Sequence, residues 1–285
     1  MTDLTLVCAA LTGAGSGAGV GPVPMPWLAP YRSLGEQVAE HVLHGGSVAQ
    51  ALNAALPAEP VAPHREQRLR FVAQADLPAG EAYECFIART GSVPTRDHPH
   101  DLFNGLVWLR FGALKRQLNA LHVQQIERAG IGRTRGALRD ALTLFDENAA
   151  LLQAPAVLAD ALRRRDWQAL FVEHRAAWAG ATLTLFGHAL LEKLLQPRKP
   201  ITAHVRILPS PPPGVLQSGA LPLDALPDDT LGLLIEQAHL PLPVLGVPGW
   251  WAGNEEGNFY RDETVFRRVR PRADRAARKV VSGCL

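Results

Sequence analysis

A histidine and an aspartate stand side by side at His100 and Asp101, at the start of a long apolar segment. Imidazole nitrogens and carboxylate oxygens bind divalent metals, and a bound metal lowers the pKa of water until it is a nucleophile near neutral pH. In a helix, His100 and Asn104 lie one turn apart on one face. The segment therefore indicates a metal site with His100 and Asp101 as ligands. The alternative is structural: Asp101 complements the positive end of a helix, and His100 caps or pairs within the fold.

Phosphohydrolases of the HD type present two metal ligands from one helix through an adjacent His–Asp pair of this kind. Their chemistry also needs a histidine upstream and an aspartate downstream. His64 lies upstream of the pair, and Asp140 or Asp146 lies downstream. Because a His–Asp dipeptide is common by chance, the pair alone does not identify the class.

A second polar segment runs from Arg139 to Asn148 and contains Asp140, Asp146 and Glu147. If the segment is helical, Asp140 and Glu147 are seven residues apart and share a face. Two carboxylates facing a cavity can bind a divalent ion through oxygen or divide acid and base roles. The alternative is a solvated face on which Arg139 or Arg135 pairs with an acid.

A third candidate is His188, which follows Gly187 in an apolar segment and has Glu192 one turn further on. Its alternative is a hydrogen-bonded core histidine. The predicted site comprises catalytic residues, metal ligands and further binding residues. The catalytic set is Asp146, Glu147 and His188, the ligands are His100, Asp101 and Asp140, and the binding residues are Arg96, Asn104, Arg139 and Asn148.

Helices must position most of these side chains. Apolar spacing predicts a central helix over about 99–121, capped by Asp97 or His98, and helices over about 138–152, 156–179, 182–195 and 223–239. Alternation predicts a strand over 201–208. We therefore expect a mainly α protein, α+β at most, with one compact helical domain and a few short strands.

The chain has 285 residues with a formal net charge of +2. We expect three parts: a flexible glycine- and proline-rich segment over 1–24, one globular domain over 25–266, and a basic tail over 267–285. Residues 267–279 carry seven basic groups against one acid. This tail could touch nucleic acid weakly, but it lacks aromatic residues for base stacking. The expected partner is instead a small molecule or a protein.

The cysteines are three in number and far apart in sequence, at Cys8, Cys85 and Cys284. That pattern argues against a disulfide framework and for a reducing compartment. No apolar run reaches the roughly 18 residues of a membrane helix, and the N-terminus lacks a basic signal-peptide region. The sequence predicts a cytoplasmic protein without a membrane partner.

The polar segments also carry a family resemblance. The segments from Val93 to Asn104 and from Arg139 to Asn148 resemble a proteobacterial domain-of-unknown-function family, the one numbered 3025. Further similar segments are Phe186–Leu194, Ile201–His204, Val244–Trp251, Asn254–Glu255 and Phe259–Tyr260. The resemblance covers roughly residues 25 to 270, and it implies no activity, since the family has none assigned.

Two functional hypotheses follow from these residues. The first is a metal-assisted hydrolase, with a phosphoester as the expected substrate and a divalent metal ion as the expected cofactor. The second is a non-catalytic protein that binds a ligand or another protein, in which the same residues form a structural hydrogen-bond network. Close approach of His100, Asp101, His188 and either Asp146 or Glu147 around one concavity would favour the first.

Overall fold

Helices and short strands alternate along the chain. The computed structural model describes residues 4–13, 25–57, 68–129, 136–209 and 230–268. Within these residues the helices are α1 (Leu4–Thr12), α2 (Arg32–Leu43), α3 (Val48–Ala54), α4 (Tyr83–Thr90), α5 (Pro99–Arg110), α6 (Gly112–Ala129), α7 (Ala137–Asn148), α8 (Ala156–Arg164), α9 (His188–Lys193) and α10 (Thr230–Glu236). The strands are β1 (Arg70–Ala73), β2 (Ser92–Thr95), β3 (Ala149–Gln153), β4 (Thr182–Leu185), β5 (Thr202–Ile207) and β6 (Leu240–Pro243). No helix in this part of the chain has the length and apolar composition needed to cross a membrane.

The strands form two sheets. β1 and β2 pair in parallel, and the larger sheet has the strand order β4-β3-β5-β6. β3 is parallel to β5 and antiparallel to β4, while β6 is antiparallel to β5. All five residues of β3 are buried, as expected for a central strand that is covered on both faces.

The described part of the chain is a mixed α+β structure, so the expectation of a mainly α protein is wrong. The helix predicted over 138–152 ends at Asn148, and the residues after it form β3. The segment predicted as a helix over 182–195 begins as β4 and becomes helical only at His188. A short apolar run fits a buried strand as well as a buried helix, and pairing with neighbouring strands decides between them here. The predicted strand over 201–208 is present as β5.

The predicted central helix is two helices. α5 ends at Arg110, where Phe111 leaves the helical region with φ −128° and ψ 41°, and α6 follows from Gly112. Pro99 occupies the first turn of α5, and the His98 ring accepts a hydrogen bond from the His100 backbone N–H at 3.1 Å. The cap at His98 therefore fixes the backbone of the first turn, which carries His100.

Capping also explains the position of α3. Ser47 and Gln50 form a capping box, in which each side chain accepts a hydrogen bond from the backbone N–H of the other residue. The side chain of Asp97, the other candidate cap for α5, instead accepts a hydrogen bond from the Val48 backbone N–H at 2.7 Å.

Buried apolar side chains of the described residues form one contiguous cluster that extends from Val7 to Phe266. Val7, Cys8 and Leu11 of α1 belong to it. The chain over Leu4–Thr12, predicted as part of a flexible segment, is thus a packed helix. His64, Arg135, residues 14–24 and the tail beyond Arg268 lie outside the described residues.

A close backbone contact places α9 against the end of α7. Gly187 caps α9, and its backbone N–H donates to the Ala149 carbonyl at 2.9 Å. A Cβ atom at Gly187 would lie 2.5 Å from both the Asn148 nitrogen and the Glu147 carbonyl oxygen. Real Cβ atoms do not approach backbone so closely, so only glycine allows α9 to start here. The contact brings His188 beside Glu147.

We expect Gly187→Ala to lower the free energy of unfolding by about 1–3 kcal/mol, because the added methyl group forces α9 away from α7. Urea unfolding followed by circular dichroism measures the loss. The matched control is Gly232→Ala in α10, where nothing lies within 4 Å of the added Cβ. That variant should match the wild type or gain up to about 1 kcal/mol from helix propensity. Equal stabilities of the Gly187→Ala variant and the wild type would contradict the close contact.

Candidate metal centre

Two imidazole rings from different helices face each other. His100 lies in the first turn of α5, and His188 is the first residue of α9. Their Nε2 atoms are 3.1 Å apart, and the ring centroids are 4.5 Å apart at an interplanar angle of 76°. His188 is buried and His100 is half-buried. The pair joins residues that are 88 positions apart in sequence.

A carboxylate lies behind each ring. His100 Nδ1 is 2.9 Å from Glu192 Oε2, and His188 Nδ1 is 3.9 Å from Asp146 Oδ2. An ionised carboxylate only accepts hydrogen bonds, so Glu192 selects the His100 tautomer that carries its proton on Nδ1. The lone pair of His100 Nε2 is then directed at His188.

Glu147 completes a group of three potential ligands. Its Oε1 atom is 3.7 Å from His188 Nε2, and one atom each from His100, Glu147 and His188 lie within 4.8 Å of one another. Burial raises the pKa of the Glu147 carboxyl, although the neighbouring His100 acts in the opposite direction. Two imidazoles and one carboxylate form a donor set that suits zinc and other divalent transition metals.

Burial keeps His188 neutral. It lowers the pKa of His188 to about 4, against the opposing effect of the Asp146 carboxylate. A neutral imidazole offers its lone pair without first losing a proton. His188 is therefore ready to bind a metal at neutral pH.

A buried lysine, which the sequence analysis did not single out, joins the acidic segment to α5. Lys115 on α6 is 4% exposed, and its ammonium donates to Asp146 Oδ1 at 2.6 Å and to Asn104 Oδ1 at 2.9 Å. The Asn104 amide in turn donates to the Tyr83 hydroxyl at 3.1 Å. Burial alone would raise the pKa of Asp146, but the Lys115 charge holds it below its ordinary value. Asp146 is thus an anion whose second oxygen faces His188.

Asp101, predicted as a ligand, points away from His100 to Arg96. Its carboxylate accepts from the Arg96 backbone N–H at 2.6 Å and pairs with the guanidinium at 2.8 Å. These contacts occupy both carboxylate oxygens. The adjacent His–Asp pair therefore does not present two ligands to one point.

The remaining predicted residues are divided between the site and the surface. Asp140 is exposed and lies outside the group of three ligands. Asn148 accepts a hydrogen bond from Lys193 Nζ at 2.9 Å. Arg139 has a buried Nε atom with no hydrogen-bond partner among the described residues. Asp140, Asn148 and Arg139 are not among the residues that line the cavity beside His188.

The ligand group opens onto a cavity of about 470 Å³. Polar residues that the sequence analysis missed also line it, among them Tyr83, Glu84, Lys115, Asn119 and His122. Lys115, Asn119 and His122 recur at positions i, i+4 and i+7 of α6, which places them on one face. That spacing was visible in the sequence, where three polar residues on an otherwise apolar helix face would have indicated the site.

Comparison with known proteins assigns the family. A family model described as "Protein of unknown function (DUF3025)" matches residues 69–270. The chain belongs to this family. No curated protein and no solved structure matches it. The matched residues include His100, Glu147, His188 and Glu192, so the ligand group lies within the family domain.

The neutral state of His188 predicts a pH dependence in the metal-free protein. Its pKa is 6.5 when unfolded and about 4 when folded, so the unfolded chain binds more protons between these values. The free energy of unfolding should therefore fall as the pH drops from about 6.5 towards 4, by up to about 3 kcal/mol. Urea unfolding in the presence of a chelator measures it.

The control for this pH dependence is His188→Gln, whose stability should change less over the same pH range. Only the change of the free energy of unfolding with pH is compared. A loss of stability that is the same at every pH therefore does not affect the result. Identical pH profiles for the two proteins would contradict a buried neutral His188.

Proposed function

We propose that this protein is a metal-dependent hydrolase in which His100, His188 and Glu147 hold a divalent transition metal. The observation that carries the proposal is the convergence of the two Nε2 atoms at 3.1 Å with Glu147 beside them. Two nitrogens bound to one tetrahedral zinc at about 2.0–2.1 Å are roughly 3.3–3.4 Å apart. The observed separation is within a few tenths of an ångström of that value.

The carboxylates behind the rings support the same proposal. Metal-bound histidines generally donate their second N–H to a carboxylate or carbonyl group, which orients the ring and raises its basicity. Glu192 is placed for this role at His100, where Nδ1 is 2.9 Å from Oε2. Asp146 Oδ2 is 3.9 Å from His188 Nδ1, beyond hydrogen-bond distance, so it acts on that ring through its charge.

His100, His188 and Glu147 would hold the ion, and a bound zinc ion would lower the pKa of a water molecule to about 7 and so supply a nucleophile. The charge of Asp146 would favour one orientation of the His188 ring. Lys115 donates hydrogen bonds to Asp146 and Asn104. Its positive charge would stabilise negative charge that develops on a substrate.

The substrate class that we propose is a phosphoester of a small molecule. Lys115 and Arg96 line the cavity, and since they are paired with Asp146 and Asp101, the metal would carry most of the charge that attracts a phosphate. We further propose a single globular domain, which includes α1 as well as residues 25–266, in the cytoplasm of a proteobacterium. Cys85 forms no disulfide bond among the described residues, which supports a reducing compartment.

A non-catalytic role is the second candidate. The observation that favours it is the chain of hydrogen bonds from Tyr83 through Asn104 and Lys115 to Asp146, in which each buried polar group has a partner. Such a network can fix helix packing without chemistry. In this case, zinc would not bind at His100 and His188.

Zinc affinity separates the two candidates. We expect the wild-type protein to bind one zinc ion, and His100→Ala and His188→Ala to abolish binding at micromolar zinc. Glu192→Gln should lower affinity by about 10–100-fold, because His100 loses the carboxylate that orients it. Competition with a chromophoric chelator measures these affinities.

The matched control for zinc affinity is Asp140→Asn, an acid on the exposed face of α7. This variant should bind zinc as tightly as the wild type. Equal zinc affinity in the wild type, His100→Ala and His188→Ala would contradict the proposed centre and favour the structural network.

Hydrolysis by the zinc-loaded protein tests the activity. Nitrophenyl phosphate monoester and diester are suitable probes, since release of nitrophenolate reports cleavage of either. We expect turnover that a chelator removes and that His188→Ala lacks. Bound zinc without turnover of either ester above that of free zinc would contradict the phosphoester assignment.

A further inference from the structure

A buried polar stripe on α6 runs away from the metal centre. Lys115, Asn119 and His122 are each less than a tenth exposed, and all three line the cavity. Lys115 contacts Asp146 beside His188, whereas His122 lies two turns further along α6, about 10 Å away along the helix axis. The cavity therefore has two polar ends.

The end remote from His188 contains an unsatisfied pair. The His122 side chain is 8% exposed, and its buried Nδ1 atom has no hydrogen-bond partner among the described residues. Its nearest acid is Glu84, whose Oε1 atom is 4.0 Å away, too far for a hydrogen bond. The Asn119 amide donates to the Glu84 backbone carbonyl at 3.0 Å, which holds this turn of α4 against α6. The side chains of Glu84 and His122 therefore both face the cavity, and the helices that carry them pack against each other.

Charge distinguishes this end from the rest of the cavity. Asp101 is paired with Arg96 and Asp146 with Lys115, while Glu147 belongs to the proposed metal centre. Among the described lining residues, Glu84 is the carboxylate without a lysine or arginine partner in an ion pair, although the charge of Arg139 acts on the neighbouring His122. Burial lowers the pKa of His122, against the effect of Glu84, so the ring is neutral and does not supply the missing positive charge.

We propose that Glu84 and His122 bind an ammonium group at the far end of the substrate, two turns of α6 beyond Lys115. An ammonium group provides positive charge for Glu84 and a hydrogen-bond donor for an imidazole nitrogen. The cavity is also lined by Leu77, Ile87 and Leu118, which suits an apolar part of the substrate. The proposal rests on the proposed function, because the metal defines the reacting end.

Hydroxamates of different length test this proposal, because a hydroxamate chelates zinc. The three probes are acetohydroxamate, caproyl hydroxamate and ε-aminocaproyl hydroxamate, and calorimetry on the zinc-loaded full chain measures their affinities. The amine-bearing probe should bind about tenfold more tightly than its methyl-terminated counterpart. Glu84→Gln should remove that gain and leave acetohydroxamate binding unchanged.

The matched control is Glu81→Gln, which removes a neighbouring carboxylate that pairs with Arg89 outside the cavity. The control should keep the full preference for the amine-bearing probe. His122→Gln, a second variant, should reduce the preference and so guards against misfolding of Glu84→Gln.

The outcomes distinguish this inference from the proposed function. Equal binding of the two long hydroxamates to zinc-loaded protein would overturn the ammonium site and leave the metal centre intact. Failure to bind zinc, or zinc that binds no hydroxamate, would overturn the hydrolase itself and the ammonium site with it.

Discussion

Two imidazole nitrogens that face each other at 3.1 Å in a buried setting impose a strong electrostatic condition. If both lone pairs point at the gap, they repel unless a cation lies between or beside them. Glu192 directs one lone pair there through the Nδ1 atom of His100, whereas His188 Nδ1 has no hydrogen-bond partner among the described residues. Burial disfavours a second proton on His188, and the neutral ring meets the condition when its Nε2–H donates to His100 Nε2. Under the proposed function, a metal ion bound by both nitrogens would meet it instead.

A few local features of the fold bring the two histidine rings together. His98 caps α5 and fixes the turn that carries His100, and Gly187 lets α9 begin directly against the end of α7. The break at Phe111 separates α5 from α6, which frees α6 to bring Lys115 back towards Asn104 and Asp146. The centre is thus assembled from helix ends, where backbone direction changes sharply and side chains from distant segments can meet.

Residue type alone predicts much of the candidate metal centre. His100, Glu147 and His188 stand out as polar residues within apolar segments, and the structure brings them together. Asp101 was predicted as a metal ligand, but its carboxylate pairs with Arg96. Arg96 lies five residues away in a turn that helical spacing does not describe. Lys115 was missed because a lysine on a long helix usually faces water, and its burial depends on Asp146 from another helix. The strands β3 and β4 were missed for a related reason, since their pairing partners are distant in sequence and leave no local pattern.

The most direct test of the central claim is a crystal structure of the zinc-loaded protein with data collected at the zinc absorption edge. We predict an anomalous peak about 2.0–2.1 Å from the Nε2 atoms of both His100 and His188, with a Glu147 oxygen as third ligand. A pair of imidazoles joined directly by a hydrogen bond, with zinc absent or bound only at surface histidines, would contradict the account.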